Sequence, residues 1–109
     1  MSQPPIDIRP CDLKIVQQIL RNTLPVNAKV WVFGSRSTWK TKKSSDLDLA
    51  IDAGRPLTRE ENSTLEEIFD ESDLPYKVDM VDMHIVSDTF KTIIERDMVE
   101  LWIWTVVHK

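Results

Sequence analysis

Two hydrophobic periods run through this chain, one of three to four residues and one of two, and their succession lays out its elements. From Pro10, acceptable in a first helical turn, Leu13, Val16, Ile19 and Leu20 recur on one helical stripe until a break at 22–25. The KVWVF run at 29–33 is β-branched and aromatic and ends at Gly34, which predicts a short buried strand feeding a tight turn, and Ser35 then opens a brief helical turn. Positions 46–52 (DLDLAID) alternate. Leu47, Leu49 and Ile51 face one way and Asp46, Asp48, Ala50 and Asp52 the other, giving a strand that is half core and half acid. Gly54 and Pro56 end it. Thr58 and Glu61 make a T-x-x-E capping box ahead of Leu65, Ile68 and Phe69, so a helix is expected there, closed by Pro75. A third strand spans 76–82 (YKVDMVD), and Ser87 caps a last helix carrying Phe90, Ile93 and Ile94.

The order is αβαβαβα, and only two connections are long enough to be helical crossovers. An α/β (α+β) fold follows, a small mixed sheet with helices packed against it. A chain of 109 residues has room for one core, expected over 10–109 behind a proline-bearing N-terminal arm at 1–9. Hydrophobic residues at 41% against 29% charged residues exclude an intrinsically disordered chain. No apolar run approaches the roughly 20 residues that span a bilayer, and the first residues lack the pattern of a signal peptide, so a cytoplasmic location without membrane contact is expected. The single cysteine, Cys11, cannot close an internal disulfide. A net charge of -4 removes the broad basic footprint of a nucleic-acid binder, and no direct nucleic-acid partner is expected.

Candidate chemistry sits on the acidic face. Aspartates at i and i+2 of one strand lie roughly 6.6 Å apart along the backbone, close enough to ligate two metals about 3.5–4 Å apart. Asp46 and Asp48 meet that spacing. Such a pair in an otherwise apolar strand is costly without cations, and magnesium, which prefers hard oxygen ligands and keeps positions for phosphates, is the expected ion. On the third strand Val78 and Met80 share the apolar face, so Asp79 points with the acids while Asp82 falls on the other side. Asp79 is therefore the better third ligand. Asp52 lies roughly 13 Å beyond Asp48 and is assigned to the surface. Gly34 lets main chain approach a ligand, and Ser35 and the helical turn it opens supply donors for a phosphate. Arg36, in that first turn, is a candidate to neutralise a triphosphate, whereas Lys40, Lys42 and Lys43 are more ordinary loop cations. His84 and His108 have no second histidine at ligand spacing, and surface or capping roles are expected of them. Trp31 reads as core; Trp39 is ambiguous; Tyr76, Trp102 and Trp104 read as packing or partner contacts.

A strand, a GS pair, ten intervening residues (36–45), a DxD strand, a helix and a strand carrying VDMVD form a more specific signal than any one of them. This G-S-x10-D-x-D arrangement resembles the DNA polymerase beta type nucleotidyltransferase superfamily. More narrowly, it looks like the minimal nucleotidyltransferases, the MNT antitoxins encoded beside HEPN proteins in toxin-antitoxin pairs, and the likeness covers nearly the whole chain. The resemblance implies a nucleotidyltransferase fold in which Gly34 and Ser35 contact the donor phosphates, Asp46 and Asp48 bind two Mg2+ ions, and Asp79 completes one metal site. It also implies ATP as donor and transfer of AMP to a hydroxyl, a tyrosine's, on a HEPN-domain protein from an adjacent gene, in a hetero-oligomer. A chain this short has no room for a separate acceptor domain, which agrees with an acceptor arriving on a partner. The residues themselves leave the donor nucleotide open. They also leave open a binding module that neutralises its partner by occlusion, its acids idle. The tryptophan-rich end at 99–109 is either an edge strand or an interface.

Overall fold

A computed structural model describes residues 6–38 and 46–103. The elements run α1 (Pro10–Thr23), β1 (Lys29–Phe33), α2 (Ser35–Thr38), β2 (Leu47–Asp52), α3 (Arg59–Glu71), β3 (Val78–Asp82), α4 (Asp88–Asp97) and β4 (Val99–Leu101). The αβαβαβα order is as expected, with one short strand added at the end. Trp39, Lys40, Lys42, Lys43, Trp104, His108 and the first five residues of the arm lie outside the described residues.

The four strands form one mixed sheet in the order β3-β2-β1-β4. β1 is antiparallel to both β2 and β4, while β2 and β3 run parallel across the α3 crossover. Val30, Val32, Leu47, Leu49 and Ile51 are buried on one face together with Val16 and Leu20 of α1 and Leu65 and Phe69 of α3. Two-residue alternation in the strands and four-residue spacing in the helices thus build a single apolar layer. Ile68, expected on the inner stripe of α3, is instead 37% exposed, because Leu65 and Phe69, four apart, already fill the line that faces the sheet.

The predicted capping box is present: Glu61 N donates to Thr58 Oγ1 at 3.0 Å and Thr58 N to Glu61 Oε1 at 2.9 Å. Ser87 caps α4, its hydroxyl accepting from Phe90 N at 3.2 Å. On the second sheet face α4 leans on β1, where the Phe33 and Phe90 rings meet edge to face with centroids 6.1 Å apart. The described part of the chain's end is an edge strand. Val99–Leu101 pairs with β1, and Gln17 and Arg21 of α1 bond the carbonyls of Trp102 and Ile103, each at 2.7 Å. Before α1, Ile6 is buried and Asp7 N donates to the Arg36 carbonyl, so positions 6–9 of the arm lie against the domain.

Candidate active site

Three strands bring one row of side chains together on the face away from the main core. Phe33 pairs with Asp48 across β1 and β2, and Asp48 pairs with Asp79 across β2 and β3. Directly opposed residues share a face, with Cβ atoms about 4.5–5.5 Å apart in such pairs. Asp79 therefore stands beside Asp48, on the face the pleat predicted. Asp46 is exposed and immediately precedes β2, which opens at Leu47 and not at Asp46.

Asp48 is half-buried and its pKa is pushed up to about 6, first by burial and then by the charges of Asp79 and Asp46. Both neighbouring carboxylates thus act on the central one. As they stand they do not close on a point: among the described residues no three acids, cysteines or histidines form a ready metal-holding group. Asp79 is drawn toward Lys77, whose Nζ lies 3.7 Å from Asp79 Oδ1.

Gly34 ends β1 with φ +76, a left-handed conformation that favours glycine. Space demands glycine as well, since a Cβ here would lie 2.6 Å from Asp48 Oδ2. The main chain of the turn and the central carboxylate are in contact. Ser35 follows as the first residue of α2, a single turn, so its usefulness to an anion rests on local amides and the hydroxyl more than on a helix dipole. Ser37 fixes the turn, its hydroxyl donating to the Gly34 carbonyl at 2.9 Å.

Arg36, expected among the phosphate-binding residues, is 6% exposed. Its guanidinium lies 3.9 Å from the centroid of the Tyr76 ring, and Nη1 donates to the Asp7 carbonyl at 2.9 Å. That placement uses it in packing the N-terminal segment against the domain. The sequence reading also missed the group on which Tyr76 rests. Asp12, buried in α1, accepts from Arg9 at 2.9 and 3.0 Å and from the Tyr76 hydroxyl at 3.2 Å. The Arg9 guanidinium, above all, holds Asp12 below its usual range, while burial raises the Tyr76 phenol. An Arg-x-x-Asp pair spanning a helix start was the only sign of it.

The remaining acids have structural tasks. Asp82 accepts from Leu57 N at 2.7 Å and His84 N at 2.9 Å, pinning both loops at that end of the sheet. Asp52 accepts from Gly54 N at 2.8 Å and meets His84 Nε2 at 2.6 Å. The bond from Gly54, then that from His84, keeps Asp52 below the ordinary carboxylate range. His84 thus has a specific partner on the surface, 32 positions away in sequence.

A mixed sheet with a DxD at the start of its central strand, joined in space by a third aspartate and faced by a Gly-Ser turn, defines a nucleotidyl-transfer class of site. The family described as "Polymerase beta, Nucleotidyltransferase" matches residues 14–102, and the chain belongs to it. The probable protein adenylyltransferase MntA of Haemophilus influenzae is 45% identical over 91 residues, covering 84% of this chain and 79% of that protein. The fold is similar to that in a crystal structure of a toxin-antitoxin with AMP-PNP, at a TM-score of 0.72 and 25% identity over 84% of this chain and 73% of that one. It also resembles the structure of a tri-AMPylated Shewanella oneidensis HEPN toxin in complex with MNT antitoxin, at a TM-score of 0.64 and 22% identity, with 84% and 70% covered. Among the described residues no helix is long and apolar enough to cross a membrane.

Proposed function

We propose that this nucleotidyltransferase transfers AMP from ATP to a tyrosine hydroxyl of a HEPN-domain partner and thereby acts as an antitoxin. The observation that carries the reading is the contact between Gly34 and Asp48, which makes the phosphate-binding turn and the acid row one site. The adenylyltransferase relative and the likeness to a complex holding AMP-PNP support the same donor.

Magnesium fits this site. The donor set consists of hard carboxylate oxygens on one face, and burial, then the charges of Asp79 and Asp46, oppose ionisation of the central one, a cost that a divalent cation would offset. Asp46 and Asp48 would hold the ions and Asp79 would complete one set after turning away from Lys77. Bound there, the cations would supply neutralisation of the phosphate charge.

The chain's own residues do the rest. Gly34 admits phosphate oxygens against bare main chain, and Ser35 offers its amide and hydroxyl at the same edge. In the transfer, the acceptor oxygen bonds to the α-phosphorus as the α–β phosphoanhydride bond breaks and pyrophosphate leaves. The hydroxyl proton passes to the Asp79 carboxylate, on the strand nearest the open side of the sheet. Incubation with the HEPN protein of the adjacent gene, ATP and magnesium should add one or more AMP masses to that partner in intact mass spectrometry. An unchanged partner mass would refute transfer. The variant combining Asp46→Asn with Asp48→Asn should bind the partner without modifying or neutralising it; full neutralisation would mean occlusion instead.

A further inference from the structure

β3 is an edge strand, paired with β2 on one side, and among the described residues no strand pairs with the other. The direction of its main-chain groups follows from the ladder. Leu47 N donates to the Lys77 carbonyl and Met83 N to the Ile51 carbonyl, so the odd-numbered residues of this segment turn their amides and carbonyls toward β2. Val78 and Met80 consequently turn theirs to the free side. Along that side lies a cavity of about 610 Å³, running between β3 and the second half of α3. Its apolar lining comes from Phe69, Leu74, Val78 and Met80, and its rim carries Glu66 and Asp70, both exposed. Lys77 is the sole cation along it among the described residues, and Asp79 draws that charge.

We propose that this groove receives the acceptor as an extended basic segment added to the free edge of β3, an inference that rests on the transfer reading above. Three features select that occupant. An unpaired edge with outward amides and carbonyls gives main-chain affinity to an extended segment, and pockets along it give side-chain selectivity. The acidic rim selects arginine or lysine in that segment. The third feature is continuity with the site. A strand added beside β3 alternates its side chains between the two faces, and the side chain that falls next to Asp79 stands about 5 Å from it at the Cβ atoms, on the face that carries Asp48. The same strand that holds the third aspartate thus aligns the hydroxyl. Neighbouring residues of the segment fall on the opposite face, over Val78 and Met80.

Amide hydrogen exchange followed by NMR tests this without depending on transfer. The probe is a short peptide in which valine and arginine alternate around a central tyrosine; the control replaces each arginine with glutamate. Saturating basic peptide should slow exchange at Val78 and Met80 by about tenfold or more, with the already bonded Asp79 and Val81 amides unchanged. The acidic peptide should have no effect, and the variant combining Glu66→Lys with Asp70→Lys, both exposed and outside the catalytic set, should lose the protection. Unchanged exchange at Val78 and Met80, or equal protection by both peptides, would overturn the proposal. So would protection that appears without peptide and grows with protein concentration, which would assign the edge to a second copy. AMP transfer measured in parallel separates the two readings. Protected amides without transfer to peptide or HEPN partner would remove the proposed function and leave the groove; transfer with unprotected amides would remove the groove alone.

Discussion

Substituting the two glycines isolates what holds the site together. Both have positive φ, +76 at Gly34 and +80 at Gly54, but a Cβ at Gly54 meets nothing within 4 Å while one at Gly34 lies 2.6 Å from Asp48 Oδ2. Gly54→Ala should therefore cost only the left-handed backbone, about 1–2 kcal/mol. Gly34→Ala carries that cost and also forces the Asp48 side chain to rotate, about 1 kcal/mol more for a carboxylate driven off its preferred rotamer. For a domain near 100 residues the total of about 2–3 kcal/mol lowers Tm by roughly 10–20 °C, about twice the shift at Gly54. Urea unfolding followed by tryptophan fluorescence reads the difference, and titration with a non-hydrolysable ATP analogue and magnesium reads the site. Gly34→Ala should lose nucleotide binding, whereas Gly54→Ala keeps it. Adding Asp48→Ala to Gly34→Ala should recover the steric part, since sites in contact are non-additive. Equal losses at the two glycines, or nucleotide binding by Gly34→Ala at wild-type affinity, would refute the reasoning.

Three further outcomes follow from the same geometry. Asp48→Asn should raise the metal-free stability at neutral pH by about 1 kcal/mol, measured by urea midpoint, because a half-buried charge facing two others is removed, while transfer is abolished. Arg36→Lys keeps the charge but loses the planar stack on Tyr76, and a loss of about 1–2 kcal/mol in thermal unfolding is expected; unchanged stability with weakened ATP binding would return Arg36 to the phosphates. Asp12 has a lowered folded pKa, so its contribution is present above the unfolded value of 3.8 and lost as pH falls through the folded value below that. Acid unfolding should accordingly steepen below about pH 4, and Asp12→Asn should flatten that limb while lowering stability near neutrality.

Most of the acid face was legible because its signal is local. Alternation over Leu47, Leu49 and Ile51 dictates which way Asp48 points, the Val78 and Met80 pair does the same for Asp79, and glycine followed by serine after a β-branched run marks the turn. The capping box at Thr58 and Glu61 is equally a matter of residues three apart. For Arg36, position in the chain puts it at the turn, but only packing reveals that the Tyr76 ring and the Asp7 carbonyl hold its guanidinium. Neither partner is near it in sequence.

Sequence alone settled the faces and the periods, since these depend on the pleat and the helical turn. Tertiary structure decided the register that sets Asp79 beside Asp48, the closeness of Gly34 to that carboxylate, the docking of β4, the pairing of His84 with Asp52, and the incomplete cover of α3 over β3. Each joins segments far apart in the chain, and their alignment is fixed by burying Leu47, Leu49, Leu65 and Phe69 together in one layer, a condition no single segment can express.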